Sequence, residues 1–225
     1  MKPLFLVGSC GLLLLTSDAA AKSPISVDDA FRVAFAGTTV RDTEFGTLIY
    51  SPGKLTGVGN AVVLISEGQN ADDCHACSGA LAVHYLSEKA DGWHVSGEWL
   101  TASGGGSWGH PGSNWGISTS LLEYPVLYSE SGGTWQGCSS SVANFLPLLP
   151  DGPGESVMIP LFHDNSGGYG DLVEVEGRIF DIRPSHGFKI TYSGKRRAKS
   201  WEATDQYFWT GSGFSMNGEP SLETC

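Results

Sequence analysis

The chain has 225 residues, 31 of them glycine, with 16% charged residues and a formal net charge of −11. That composition is turn-rich and argues against a long-helix architecture. An acidic balance of this size disfavours a polyanion such as nucleic acid as partner, and it supports solubility.

At the N-terminus Lys2 is followed by an apolar run from Leu4 to Leu15 and by Ala19, Ala20 and Ala21. The run is too short to span a bilayer, which needs about 20 residues, and no later segment reaches that length, so no transmembrane segment is expected. A basic start, a short apolar core and a small-residue cleavage site together predict a signal peptide over residues 1–21. Val7-Gly8-Ser9-Cys10 also reads as a lipoprotein box, although Cys10 lies inside the apolar run. Residues 22–225 are then expected to form a single β-rich domain, exported to the periplasm or secreted, and monomeric. Four cysteines remain in it: Cys74, Cys77, Cys138 and Cys225. An even count in an exported chain favours disulfides. Three pairings are possible. The one expected is Cys74–Cys77 with Cys138–Cys225. The second bridge would close a long loop, worth about 4–5 kcal/mol in the chain-entropy model.

One helix is legible. Ser26 reads as its N-cap, Asp29 as N3 and Gly37 as its stop, with Ala30, Phe31, Ala34 and Phe35 on the apolar side. Strand patterns follow. Phe45 to Tyr50 and Ala61 to Ser66 are β-branched or aromatic runs between glycines. Ala80 to Leu86 and Trp93 to Leu100 flank a turn at 88–92, which would set His84 and His94 facing each other. Val126 to Ser129 and Thr134 to Gln136 flank Gly132-Gly133, and Leu172 to Val175 and Arg178 to Ile182 flank Glu176-Gly177, as two further hairpins. Gly53, Gly92, Gly133, Gly177 and Gly211 then recur at roughly 40-residue spacing, near the blade period of small propellers. A sandwich or meander also places turns this often. The fold class expected is all-β, an antiparallel meander, propeller-like or sandwich, with one short N-terminal helix.

Four segments could carry chemistry. Cys74-His75-Ala76-Cys77 has the spacing of a metal clamp, a redox pair or a small disulfide ring. Zinc needs four ligands and no second such pair exists, while a thioredoxin-like role needs a helix after the motif. Asp72-Asp73 would raise a neighbouring thiol pKa. Gly105-Gly106-Ser107-Trp108-Gly109 fits the G-x-S-x-G pattern of a serine nucleophile, with Ser107 as nucleophile and Asp164 or Asp171 and His186 as partners, provided a strand turns there into a helix. The same stretch is a glycine-rich loop carrying Trp108, His110, Asn114 and Trp115, which reads as a docking surface for a glycan or a protein.

Asp164-Asn165-Ser166-Gly167-Gly168-Tyr169-Gly170-Asp171-Leu172 resembles the calcium loops of FG-GAP propeller repeats over those nine residues. It is one residue shorter, with Gly168 in place of the central Asp. The resemblance implies Asp164 and Asp171 as metal ligands, and an Asp/Asn/Gly surface turn accounts for the same residues. Lys195-Arg196-Arg197-Ala198-Lys199 is the one basic cluster, read as a solvated turn or a partner contact. The resulting expectation is a non-catalytic exported binding module without a cofactor, which uses the Trp108–Trp115 loop. The alternatives are a metal or redox protein centred on Cys74–Cys77, or a hydrolase using Ser107.

Overall fold

The computed structural model describes residues 25–225 except Asp73, Ser113 and residues 169–171. The expected signal peptide and Asp171 therefore lie outside the described residues.

The chain opens with helix α1 (Val27–Phe35), and Ser26 caps it by accepting the backbone N–H of Asp29 at 3.1 Å. A first, five-stranded sheet follows: β1 (Val40–Thr43), β2 (Gly46–Val58), β3 (Ala61–Asn70), β4 (Gly79–Lys89) and β5 (Gly92–Gly105). The second sheet holds β6 (Asn114–Ser118), β7 (Val126–Trp135), β8 (Cys138–Leu149), β9 (Gly152–Pro153), β10 (Val157–Asp164), β11 (Val173–Arg183), β12 (Gly187–Arg196), β13 (Lys199–Trp209) and β14 (Phe214–Met216). In both sheets each strand pairs antiparallel with its sequence neighbours, except that the two-residue β9 pairs only with β8, which bonds directly to β10. The architecture is thus an antiparallel meander in two stacked sheets, not radial blades.

Alternation along the strands explains the stacking. On β3 and β4, Leu64, Ala80, Ala82 and Leu86 face α1 and pack on Ala30, Ala34 and Phe35. The intervening Val63, Ile65, Leu81, Val83 and Tyr85 face the second sheet and meet Leu127, Leu146 and Leu148 of β7 and β8. Buried on both faces, β3 and β4 read as near-continuous apolar runs. The far side of the second sheet wraps a third cluster around Phe145, Phe188, Tyr192 and Phe214. No helix among the described residues is long and apolar enough to cross a membrane.

The 40-residue period dissolves on inspection of the strands. Gly92 and Gly211 lie at turns, but Gly53, Gly133 and Gly177 lie inside β2, β7 and β11. Two expected hairpins are therefore single long strands. The β7–β8 turn is made instead by Gln136 and Gly137, both with positive φ (48° and 81°). Such a two-residue turn matches the strand twist, and its signal was missed because Gln rarely takes that conformation. Gly177 is in mid-strand because a Cβ there would lie 2.7 Å from the ring of Tyr192. The basic cluster forms another two-residue turn at Arg197 and Ala198, with Arg196 over the ring of Trp201 at 4.0 Å.

His84 and His94 do not face each other. The ladder starts at the Lys89–Gly92 pair, which sets His94 opposite Ser87, and a bulge between Tyr85 and Leu86 then sets His84 opposite Glu98. His84 is fully buried against Phe35, with its Nε2 3.0 Å from Glu98. Burial pushes its pKa below the ordinary histidine value, against the opposing effect of Glu98.

Candidate functional site

The chain leaves the first sheet at Gly105 and enters the second at Asn114. The described part of the linking segment between them, residues 106–112, forms one wall of a groove of about 740 Å³. Ser107, Trp108, His110 and Trp115 line that groove, four of the residues singled out in the sequence. Asn114 is the first residue of β6; it is exposed and lies outside the lining.

The link is held from behind by the Cys74–Cys77 segment. These cysteines pair at disulfide distance with Cα atoms 5.1 Å apart, as expected. The ring they close presents carbonyls to the link: His75 accepts from the Trp108 N–H at 3.3 Å and Cys77 from the Gly109 N–H at 2.8 Å. The Gly109 carbonyl in turn accepts from Asn70 N–H at 2.8 Å, and the His110 carbonyl from Gly79 N–H at 3.2 Å. Gly79 has no side chain for a steric reason, since a Cβ there would collide with the backbone of His110 and Pro111.

This stitching fixes Trp108 in an uncommon backbone state. Its φ is +56°, and its side chain is 53% exposed. A left-handed conformation costs a non-glycine residue about 1–2 kcal/mol. Four backbone hydrogen bonds and an edge contact from the His75 ring, centroids 4.9 Å apart, hold it there. The result is a large indole presented to solvent instead of folded into the core, where aromatic side chains usually lie.

Trp115 is different. Its indole N–H donates to Glu67 Oε1 at 2.8 Å, and Lys54 Nζ sits 4.4 Å over its ring. It also packs against the cluster between the sheets. Trp115 is therefore a fixed wall, with its donor already used.

The opposite wall and floor come from β7 and β8, through Glu130, Ser131, Gly132, Gly133, Thr134 and Ser139 to Ser141. These residues were not anticipated. The signal was the serine and glycine density in both strands, taken for a hairpin turn because glycine pairs usually mark one. Register explains the placement: Gly133 lies opposite Ser140 and Thr134 opposite Ser139, whose hydroxyls are 2.7 Å apart. A Cβ on Gly133 would find no atom within 4 Å, so the floor there is open. Between the sheets, buried Ser103, Ser129 and Asn144 form a hydrogen-bonded chain that runs out to exposed Ser156, with links of 2.8 Å. Each polar side chain in it has a partner, which keeps its burial from being costly.

The remaining sequence candidates do not join this groove as a catalytic set. From β5 the chain passes through a turn at Ser107 to Gly109 and on to β6, so the strand-to-helix elbow that G-x-S-x-G needs is not formed at Ser107. His186 lies in the β11–β12 turn, with Nδ1 2.9 Å from the Pro184 carbonyl. Asp164 ends β10 and accepts the Ser166 N–H at 2.8 Å, which holds its carboxyl below the ordinary range. That is the geometry of an Asx turn. Cys138 and Cys225 form the second expected pair, Cα atoms 6.0 Å apart, one residue beyond Ser139 of the groove.

Comparison with protein-family models, curated proteins and solved structures finds no match for this chain.

Proposed function

We propose that this chain is an exported, monomeric, non-catalytic binding module that holds an oligosaccharide in the groove between Trp108 and the β7–β8 wall. One observation carries the reading. An indole held in a left-handed backbone conformation is presented at a groove lined by serine and threonine hydroxyls and two glutamates. A sugar ring offers an apolar C–H face for an aromatic side chain and hydroxyls for short polar side chains. The groove has both parts. Its volume, about 740 Å³, lies in the range for a small ligand of about 300–1,000 Å³. The pairing of Cys74 with Cys77 supports a supporting role for that segment, because its carbonyls are what anchor the loop.

The test is a glycan-array screen of the purified chain, followed by calorimetric titration of the best hit. Aromatic stacking is worth about 0.5–1.5 kcal/mol, so Trp108→Ala should weaken binding about two- to thirteen-fold. Trp115→Phe, which loses the bond to Glu67, should move affinity less. Binding that survives Trp108→Ala unchanged, or a chain that captures a protein and no glycan, overturns the assignment.

A further inference from the structure

Cys138, His163 and Cys225 bring one ligand atom each within 4.8 Å of one another. In the oxidised chain the two sulfurs bond to each other and offer no thiolate. We propose that reduction of this disulfide unmasks a Cys2His site for a soft divalent cation such as Zn²⁺.

The histidine is already set for the task. His163 Nδ1 lies 2.7 Å from the Glu223 carbonyl, which can only accept, so Nδ1 carries the proton. Nε2 is then the bare lone pair, and it faces Cys138 Sγ at 3.6 Å. A carbonyl that fixes the tautomer and aims the other ring nitrogen is the arrangement found around metal-bound histidines.

The tail that carries Cys225 is held by contacts other than the bridge as well. Leu222 is buried in the second-sheet core, the Ser221 N–H donates to buried Asp205 at 2.9 Å, and the Ser221 carbonyl accepts from Arg196 at 2.9 Å. These contacts reach to within three residues of Cys225. Opening the bridge by an external dithiol leaves two thiols on the protein and one disulfide on the reductant. Metal uptake then displaces two protons from those thiols. Arg196, Arg197 and Glu223 line the same cavity as His163. One divalent cation and two thiolates sum to zero charge, so the loaded site adds no net charge there. Three protein ligands leave a fourth, open position for water, since zinc prefers four.

Co²⁺ serves as the optical probe and Zn²⁺ as its competitor. The oxidised chain should show no thiolate-to-metal absorption. After reduction and removal of the reductant, one equivalent of Co²⁺ should produce it, and Zn²⁺ should abolish it. The band should be lost in Cys225→Ser and weakened at least about ten-fold in affinity in His163→Ala. It should be unchanged in the Cys74→Ser/Cys77→Ser double variant, which excludes the other pair. Circular dichroism on the same samples reports the fold. A reduced chain that unfolds, one that stays folded without the band, or a band that follows Cys74 and Cys77 overturns the proposal.

Discussion

The region beneath α1 and the groove at the sheet crossover are both built from glycine-containing strands, yet one is filled and the other open. Under the helix, glycines make room for rings: a Cβ on Gly68 would lie 2.5 Å from the ring of Tyr50. In the groove the space beside Gly133 contains no atom within 4 Å. Glycine in a strand interior is unfavourable by itself. In the first region the aromatic packing it permits offsets that. In the second no packing offsets it within the chain, and this is why the groove reads as a place kept clear for something else. On the proposed function, the buried region carries stability and the crossover carries recognition.

Separating those two roles experimentally is the strongest challenge to the comparison. Leu64 is fully buried in the cluster under α1. Leu64→Ala should lower stability by about 3 kcal/mol, within the usual 2–5 kcal/mol for such cavities, as read by urea denaturation. Oligosaccharide affinity of the remaining folded chain should stay at the wild-type value. A fall in affinity would mean that the groove is not mechanically separate from the helix-covered core. The Cys74→Ser/Cys77→Ser variant probes the opposite case. The four-residue loop is worth about 2 kcal/mol in the chain-entropy model. Its carbonyls anchor Trp108 and Gly109, so affinity should fall together with stability.

The contrast also explains what the sequence disclosed. The helix, its Ser26 cap and its apolar face were readable because capping and a 3.6-residue period are local. The expected cysteine pairs are the ones formed, although the sequence alone leaves three pairings open, and Trp108, His110 and Trp115 stand out as aromatic and polar side chains among glycines. The β7–β8 wall did not. Ser131, Gly133 and Ser139 to Ser141 carry no period that separates a groove floor from a turn, and only the register of two strands joined at Gln136 and Gly137 brings them opposite the loop. The distinct behaviour of Trp115 was equally hidden, because it depends on Glu67 and Lys54, dozens of residues away.

A smaller effect belongs to the buried region alone. Burial holds the pKa of His84 below its ordinary value in the folded chain. As pH falls below about 6.5, the unfolded chain takes up this proton before the folded chain does. The stability linked to His84 is therefore complete above that value and is lost as pH falls towards the depressed folded pKa. In His84→Met that dependence disappears. The stability of wild type relative to the variant should fall between about pH 7.5 and about pH 5.5 in parallel urea titrations. A constant gap would show that His84 titrates alike in both states.

The smallest change in stability should accompany one of the clearest losses of binding. Gly133 has no positive φ and no neighbour where a Cβ would sit. Gly133→Leu therefore meets no steric conflict at Cβ, and its stability should stay within about 0.5 kcal/mol of wild type, as for other exposed positions. Leucine also has the better strand propensity, so any shift should favour folding. Its side chain, however, would project into the space between β7 and Trp108 that the ligand is to occupy. Calorimetry should show unaltered unfolding and strongly weakened oligosaccharide binding. Trp108→Ala removes an attraction, whereas Gly133→Leu adds an obstruction and leaves the indole in place. Loss of binding in both would locate the ligand between the two residues. Loss in Trp108→Ala alone would move it to the outer face of the indole, away from the β7–β8 wall.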